Sequence, residues 1–137
     1  DKYVGDAILS VFGSPEADEQ QDEHAIQAAI EMQAALHALE KGRWKGREPF
    51  RVGIALHSGP AIHGFIGAKE RMEYTVIGDP VNLASRIEGH SSDGEILLSE
   101  ETYEAVKGLI EAEALPEVAV KGKSRPVRIR RVVALRG

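Results

Sequence analysis

Between Asp22 and Leu39 the apolar residues Ala25, Ala28, Ala29, Met32, Ala35, Leu36 and Leu39 recur at steps of three and four, the stripe of an amphipathic helix. Asp22 stands where an N-cap belongs, and Lys41 with Gly42 where such a helix ends. A helix with one apolar face has to lay it on something, and the rest of the chain offers short apolar runs of strand type. Tyr3 to Phe12, interrupted by Gly5 and Asp6, reads as a β-hairpin with the acidic residue at its tight turn. Phe50 to Leu56 reads as a strand, and Ala61 to Gly67 as its hairpin partner across the Ser58-Gly59-Pro60 turn. Pro80 opens a second helix at its first position, continued by Val81, Leu83, Ala84 and Ile87 toward Gly89. Glu95 to Ser99 is a short buried strand, and Glu100 to Lys107 a third helix capped by Ser99. Glu117 to Val120 and Val127 to Leu135 form a terminal strand pair around Lys121-Gly122-Lys123-Ser124. Strands and helices mixed in this way predict an α+β sandwich, helices on a largely antiparallel sheet. No repeat or low-complexity tract divides residues 1–137, so one domain is expected.

With 137 residues, 42% of them apolar, a core can be built without staples. The absence of Cys excludes disulfide scaffolds and Cys-based zinc modules. Lys and Arg number 17 against 22 Asp and Glu, a net charge of -5 that opposes a broad nucleic-acid-binding face. An anionic ligand then needs local basic residues. No apolar run approaches the roughly 18 residues required to cross a bilayer, so no direct membrane contact is expected from this segment. The chain opens on Asp1 with strand-like sequence at once and no signal region, as if cut from something longer.

Neither GxxxxGK[ST] nor GxGxxG occurs; Gly59 and Gly64 have the outer spacing of the former without its Lys and hydroxyl. His57 and His63 fall in adjacent predicted strands, but with no third convergent ligand they read as packing or surface residues. Ser58 carries no triad signal. Asp6, a carboxylate at a Gly-led turn, suits either a hard cation such as Mg²⁺ or plain turn chemistry. Asn82 and Arg86 stand four apart, which puts an amide and a guanidinium fork on one helix face, toward phosphate or ribose oxygens or toward solvent. Lys121 and Lys123 flank a glycine, either as an anion-binding turn or as a solvated basic one.

Four segments in order, DKYVGDAILSVFG at Asp1 to Gly13, RVGIALHSGPAIHGFIG at Arg51 to Gly67, YTVIGDPVNLASRIE at Tyr74 to Glu88 and VKGKSRPV at Val120 to Val127, resemble the catalytic domain of class III nucleotidyl cyclases over essentially the whole chain. The resemblance implies a ferredoxin-like nucleotidyl cyclase sandwich that forms head-to-tail homodimers with active sites composed at the interface. It also implies conversion of ATP to 3′,5′-cyclic AMP and pyrophosphate with two Mg²⁺ or Mn²⁺ ions. A cytoplasmic setting, or the cytoplasmic side of a larger membrane-bound protein, follows from the same resemblance.

Carried over residue by residue, Asp6 matches the second of two metal-binding aspartates. Lys2 matches the purine-selecting position, where Lys resembles adenylate cyclases and Glu would resemble guanylate cyclases. Thr75 matches the other purine-contacting position, where many members have Asp and where Thr resembles a bacterial subgroup that includes bicarbonate-responsive enzymes. Asn82 and Arg86 match the pair that orients the ribose and stabilises the transition state, and Arg51 and Lys121 match the residues that hold the triphosphate. The family's first metal-binding aspartate, first strand and first helix precede the DKYVGD motif. This chain is therefore expected to be the C-terminal portion of such a domain, and inactive as a fragment. A guanylate cyclase, or a non-catalytic cyclase-like nucleotide-binding regulatory domain, is the alternative.

Overall fold

The computed structural model describes residues 2–4, 7–13, 17–42, 46, 51–59, 62–66, 73–77, 79–119 and 124–136, with the strand residues 2–4, 7, 62–66 and 73–77 described by their backbone. In chain order they form β1 (Lys2–Val4), β2 (Ala7–Leu9), α1 (Gln21–Lys41), β3 (Ile54–Leu56), β4 (Ile62–Ile66), β5 (Glu73–Ile77), α2 (Asp79–Glu88), β6 (Ile96–Ser99), α3 (Glu100–Val106), β7 (Ile110–Ala114) and β8 (Ile129–Leu135). The expected α+β class holds.

A four-stranded sheet in the order β3-β6-β8-β7 organises the domain, with β3 parallel to β6 and the other pairs antiparallel. Every residue of β6 is buried, because helices cover both of its faces. Ile96 and Leu98 pack with Ile26 and Ala29 of α1 and Val106 of α3, whereas Leu97 packs with Leu83 and Ile87 of α2 and with Ile129. The unbroken apolar run Ile-Leu-Leu is the pattern that a strand covered on both sides requires.

The stripe on α1 is buried only in its first half, at Ala25, Ile26 and Ala29, while Met32 is 50% exposed. A 21-residue helix is about 31 Å long at 1.5 Å per residue, far longer than the short strands it lies on. Midway, Gln33 Nε2 donates to Val52 O at 2.9 Å and Glu95 O at 3.2 Å, tying the helix to the entrances of β3 and β6. Asp22 lies inside the first turn and is not the N-cap; that position is Gln20, which makes no side-chain cap. Pro80 is likewise the second helical residue of α2, after Asp79. Ser99 caps α3 as expected, accepting from Thr102 N–H at 3.3 Å.

Two strand pairings differ from expectation. The segment at Ala61 to Gly67 does not return along β3: β4 pairs with β5, Gly64 opposite Thr75, and the neighbour of β3 is β6. His57 and Ser58 turn their polar groups inward, to Ser99 at the end of β6 and to Thr102 of α3. His57 and His63 consequently do not lie in paired strands. At the C-terminus the ladder partners of β8 are β6 and β7, and from the segment expected to pair with it the described residues give only the isolated Val118–Val127 bridge. Pro116 and Pro126 flank that bridge, and neither carries the N–H that a longer ladder would use.

Glu100 and Arg130 join α3 to β8 by a two-pronged pair, Nε–Oε2 at 3.0 Å and Nη2–Oε1 at 3.1 Å, with the guanidinium 3.9 Å from the centroid of the Tyr103 ring. The bonded guanidinium holds the Glu100 carboxyl below its ordinary value of 4.5, against a smaller opposing effect of burial. A carboxylate whose folded value is depressed contributes stability that is full above that ordinary value and is lost as pH falls through the folded one. Arg130→Met should therefore show a smaller loss of stability than wild type on going from neutral pH to about pH 3, read from denaturation midpoints. Truncating the fully buried Leu97 to Ala should cost about 2–5 kcal/mol in chemical denaturation, because both a side chain and its packing are removed.

Candidate active site

Helix α2 presents two sides about 100° apart around its axis. Leu83 and Ile87 are buried against Leu97 and Ile129, and Asn82 and Arg86, one turn apart, are exposed on the outer side. Two apolar anchors at i and i+4 thus hold an amide and a guanidinium at the same spacing toward solvent, the arrangement that the sequence spacing implied. Thr75 sits at the centre of β5, which leads into α2 and packs against it.

Lys2 lies on β1 opposite Leu9, in an antiparallel hairpin whose last pair is Val4 with Ala7. The connection is therefore two residues long. Those residues are Gly5 and Asp6, and Asp6 lies outside the described residues, as does Lys121. The donor chemistry fits the implied ions: a carboxylate in a two-residue connection offers the hard oxygen that Mg²⁺ or Mn²⁺ takes. Among the described residues no group of three or more His, Asp or Glu converges to hold a metal.

Arg51 is placed apart from the α2 pair. Its Nε donates to Glu40 Oε1 at 2.9 Å, and that hydrogen bond raises its pKa further above the ordinary value. Glu40 belongs to the end of α1, which covers the face of β6 opposite to α2. Thr75 therefore lies on the strand that packs against the helix carrying Asn82 and Arg86, whereas Arg51 is tied to α1.

Sequence reasoning missed a buried polar chain that runs past the end of β3. His57 Nδ1 is 2.7 Å from Ser99 Oγ, Ser99 Oγ is 3.1 Å from Thr102 Oγ1, and Thr102 Oγ1 is 2.9 Å from Ser58 Oγ, which donates in turn to Asp22 Oδ1. Ser99 and Thr102 are fully buried, and the His57 side chain is 7% exposed, with Glu101 Oε2 at 3.4 Å from Nδ1. The carboxylate end accepts only, which fixes every proton upstream. Ser58 spends its hydrogen on Asp22, Thr102 on Ser58, and Ser99 on Thr102, so His57 donates its Nδ1–H to Ser99. The sole sequence signal was the Ser99–Thr102 spacing of a helix cap; nothing announced that His57, Ser58 and Asp22 would join it.

The family model for the adenylate and guanylate cyclase catalytic domain matches residues 2–130. Adenylate cyclase 1 of Rhizobium meliloti is 34% identical over 98% of this chain, which spans only 21% of that relative's length. Among solved structures, the adenylyl cyclase CyaB from P. aeruginosa is 40% identical with a TM-score of 0.86, over 99% of this chain and 71% of that one. The guanylate cyclase domain of RhGC from Catenaria anguillulae, solved in complex with GTP, is 26% identical with a TM-score of 0.79, over 98% and 71%. With the sheet, the hairpin and the α2 face arranged as described, the chain belongs to the adenylate and guanylate cyclase catalytic domains.

Proposed function

We propose that this chain is the catalytic part of an adenylate cyclase, which converts ATP to 3′,5′-cyclic AMP and pyrophosphate. The observation that carries the reading is the exposed Asn82–Arg86 pair, fixed from beneath by Leu83 and Ile87. In this reaction the ribose 3′ oxygen attacks the α-phosphorus, the bond from that phosphorus to the oxygen bridging to the β-phosphate breaks, and the 3′ hydroxyl gives up its proton. Negative charge moves onto the leaving pyrophosphate. Asn82 orients the ribose so that attack is in line, and Arg86 aims its fork at charge that grows on the transferring phosphoryl. Arg51 and Lys121 hold the triphosphate. Asp6 would hold Mg²⁺ or Mn²⁺, which when bound activates the 3′ hydroxyl and neutralises pyrophosphate.

Purine choice falls to Lys2, whose ammonium donates to an adenine ring nitrogen where guanine presents an N–H instead, and to the Thr75 hydroxyl. The identity to an adenylyl cyclase structure, higher than to the guanylate cyclase above, supports the same choice.

The separation of Arg51 from the α2 pair supports a composite site in a head-to-tail homodimer. One protomer would supply Asp6 and Arg51, and its partner would supply Lys2, Thr75, Asn82, Arg86 and Lys121.

Three measurements on the full-length protein test these readings. ATP should be turned over in preference to GTP, and Lys2→Glu should weaken that preference; a wild-type preference for GTP would reject the assignment. Arg86→Ala should lower kcat on the order of a hundredfold or more with KM little changed, and Asp6→Ala should be nearly inactive. Mixing these two inactive variants should recover activity, since one heterodimer interface then holds both intact halves. No recovery after verified subunit exchange would rule out a shared site.

A further inference from the structure

Leu83 and Ile87 hold α2 on the sheet through apolar contact, which is non-directional. The turn after β3 adds a second contact, at the first turn of the helix. A Cβ built on Gly59 would lie 3.0 Å from Pro80 Cγ, 3.4 Å from Pro80 Cβ and 3.5 Å from His57 Nε2. The backbone of Gly59 is outside the left-handed region, since the described glycines with positive φ are Gly13, Gly46 and Gly94. Glycine is needed there for close approach, so that the first turn of α2 can seat on the chain itself.

The seat is rigid for a separate reason. His57 and Ser58, the two residues before Gly59, are the points at which the buried hydrogen-bonded chain holds the turn. Its other members come from three places: Asp22 in the first turn of α1, Ser99 at the end of β6 and Thr102 in α3. Each hydroxyl has one proton and one assigned direction, and the low dielectric of the interior strengthens every link while penalising any that is broken.

We propose that the chain His57–Ser99–Thr102–Ser58–Asp22 is a positioning device for catalysis: it fixes the His57–Gly59 turn on which Pro80 seats, and thereby sets where α2 presents Asn82 and Arg86. The inference rests on the roles given to Asn82 and Arg86 under the proposed function. None of its own residues touches substrate; His57, Ser58, Gly59 and Thr102 are positioning residues. A methyl group on Gly59 requires a shift of a few tenths of an ångström, and misplacement by about 1 Å costs on the order of a hundredfold in rate, so an effect of about tenfold is expected.

The test compares Gly59→Ala, Gly59→Ala with Pro80→Ala, Thr102→Val and Thr102→Ser in the full-length protein, by kcat, KM, melting temperature and the backbone amide NMR shifts of Asn82 and Arg86. Gly59→Ala should lower kcat about tenfold with KM changed by less than about twofold, and should move both amide shifts. Removing Pro80 Cγ as well should restore both readouts. Thr102→Val, which keeps the shape and deletes the hydroxyl, should act like Gly59→Ala, and Thr102→Ser should act like wild type. Unmoved amide shifts in folded Gly59→Ala and Thr102→Val overturn the proposal, as does a kcat loss that tracks only the folded fraction or that Pro80→Ala leaves unrelieved. Amide shifts that move while kcat stands still would uphold the seating of α2 and reject the catalytic roles of Asn82 and Arg86. Gly59 is exposed and Thr102 buried, so a folding defect at one leaves the other route decisive.

Discussion

The alternation of Ile96, Leu97 and Leu98 between two covered faces of β6 is the constraint from which the other placements follow. Each such side chain contributes about 1.5–3 kcal/mol by leaving water, and collecting it on both faces demands a helix on each side. The inner residues of α1 and α3 answer Ile96 and Leu98, and Leu83 and Ile87 answer Leu97. The two faces thereby acquire different tasks. One supports Arg51 through Glu40 at the end of α1, and the other carries Asn82 and Arg86. On the proposed function, a nucleotide that needs both sets would be met by two copies of the fold.

Polar groups do the directional part of the work. The apolar faces fix which layers touch, while hydrogen bonds fix register along them: Gln33 to the carbonyls of Val52 and Glu95, Arg130 to Glu100, and the ordered hydroxyls between His57 and Asp22. On the positioning role proposed for those hydroxyls, Asn82 and Arg86 would owe their direction to residues that never approach the substrate.

The sequence made legible whatever depends on local pattern. The first half of the α1 stripe, a hairpin read at Tyr3 to Phe12 and paired from Lys2 to Leu9, the exposed Asn82 and Arg86 of α2, and the Ser99 cap all follow from spacing within a turn or two, and the ordered motifs made the family legible as well. Long-range pairing was not legible. Ile110–Ala114 reads Ile-Glu-Ala-Glu-Ala; after Ile110 its Glu and Ala residues favour helix over strand, and it is a strand because β8 offers it a ladder. The hairpin assigned to β3 failed because a turn signal at Ser58-Gly59-Pro60 says that the chain bends, not to which strand it returns. The buried chain of hydroxyls was illegible for the same reason: Asp22 and Thr102 are far apart in sequence, and Ser, Thr and Asp at such positions have ordinary surface and capping uses.

Parallel pairing of β3 with β6 also has a temporal side. Leu56 and Ile96, which end one strand and open the other, are separated by about forty residues of chain, and closing such a loop takes longer than forming the local β7–β8 ladder. During synthesis at about 5–20 residues per second, β3 leaves the ribosome roughly two to eight seconds before its partner strand. For that interval Ile54 and Leu56 have α1 to shelter against, while Ala55 waits for α2 and the described ladder partner of β3 has yet to be made.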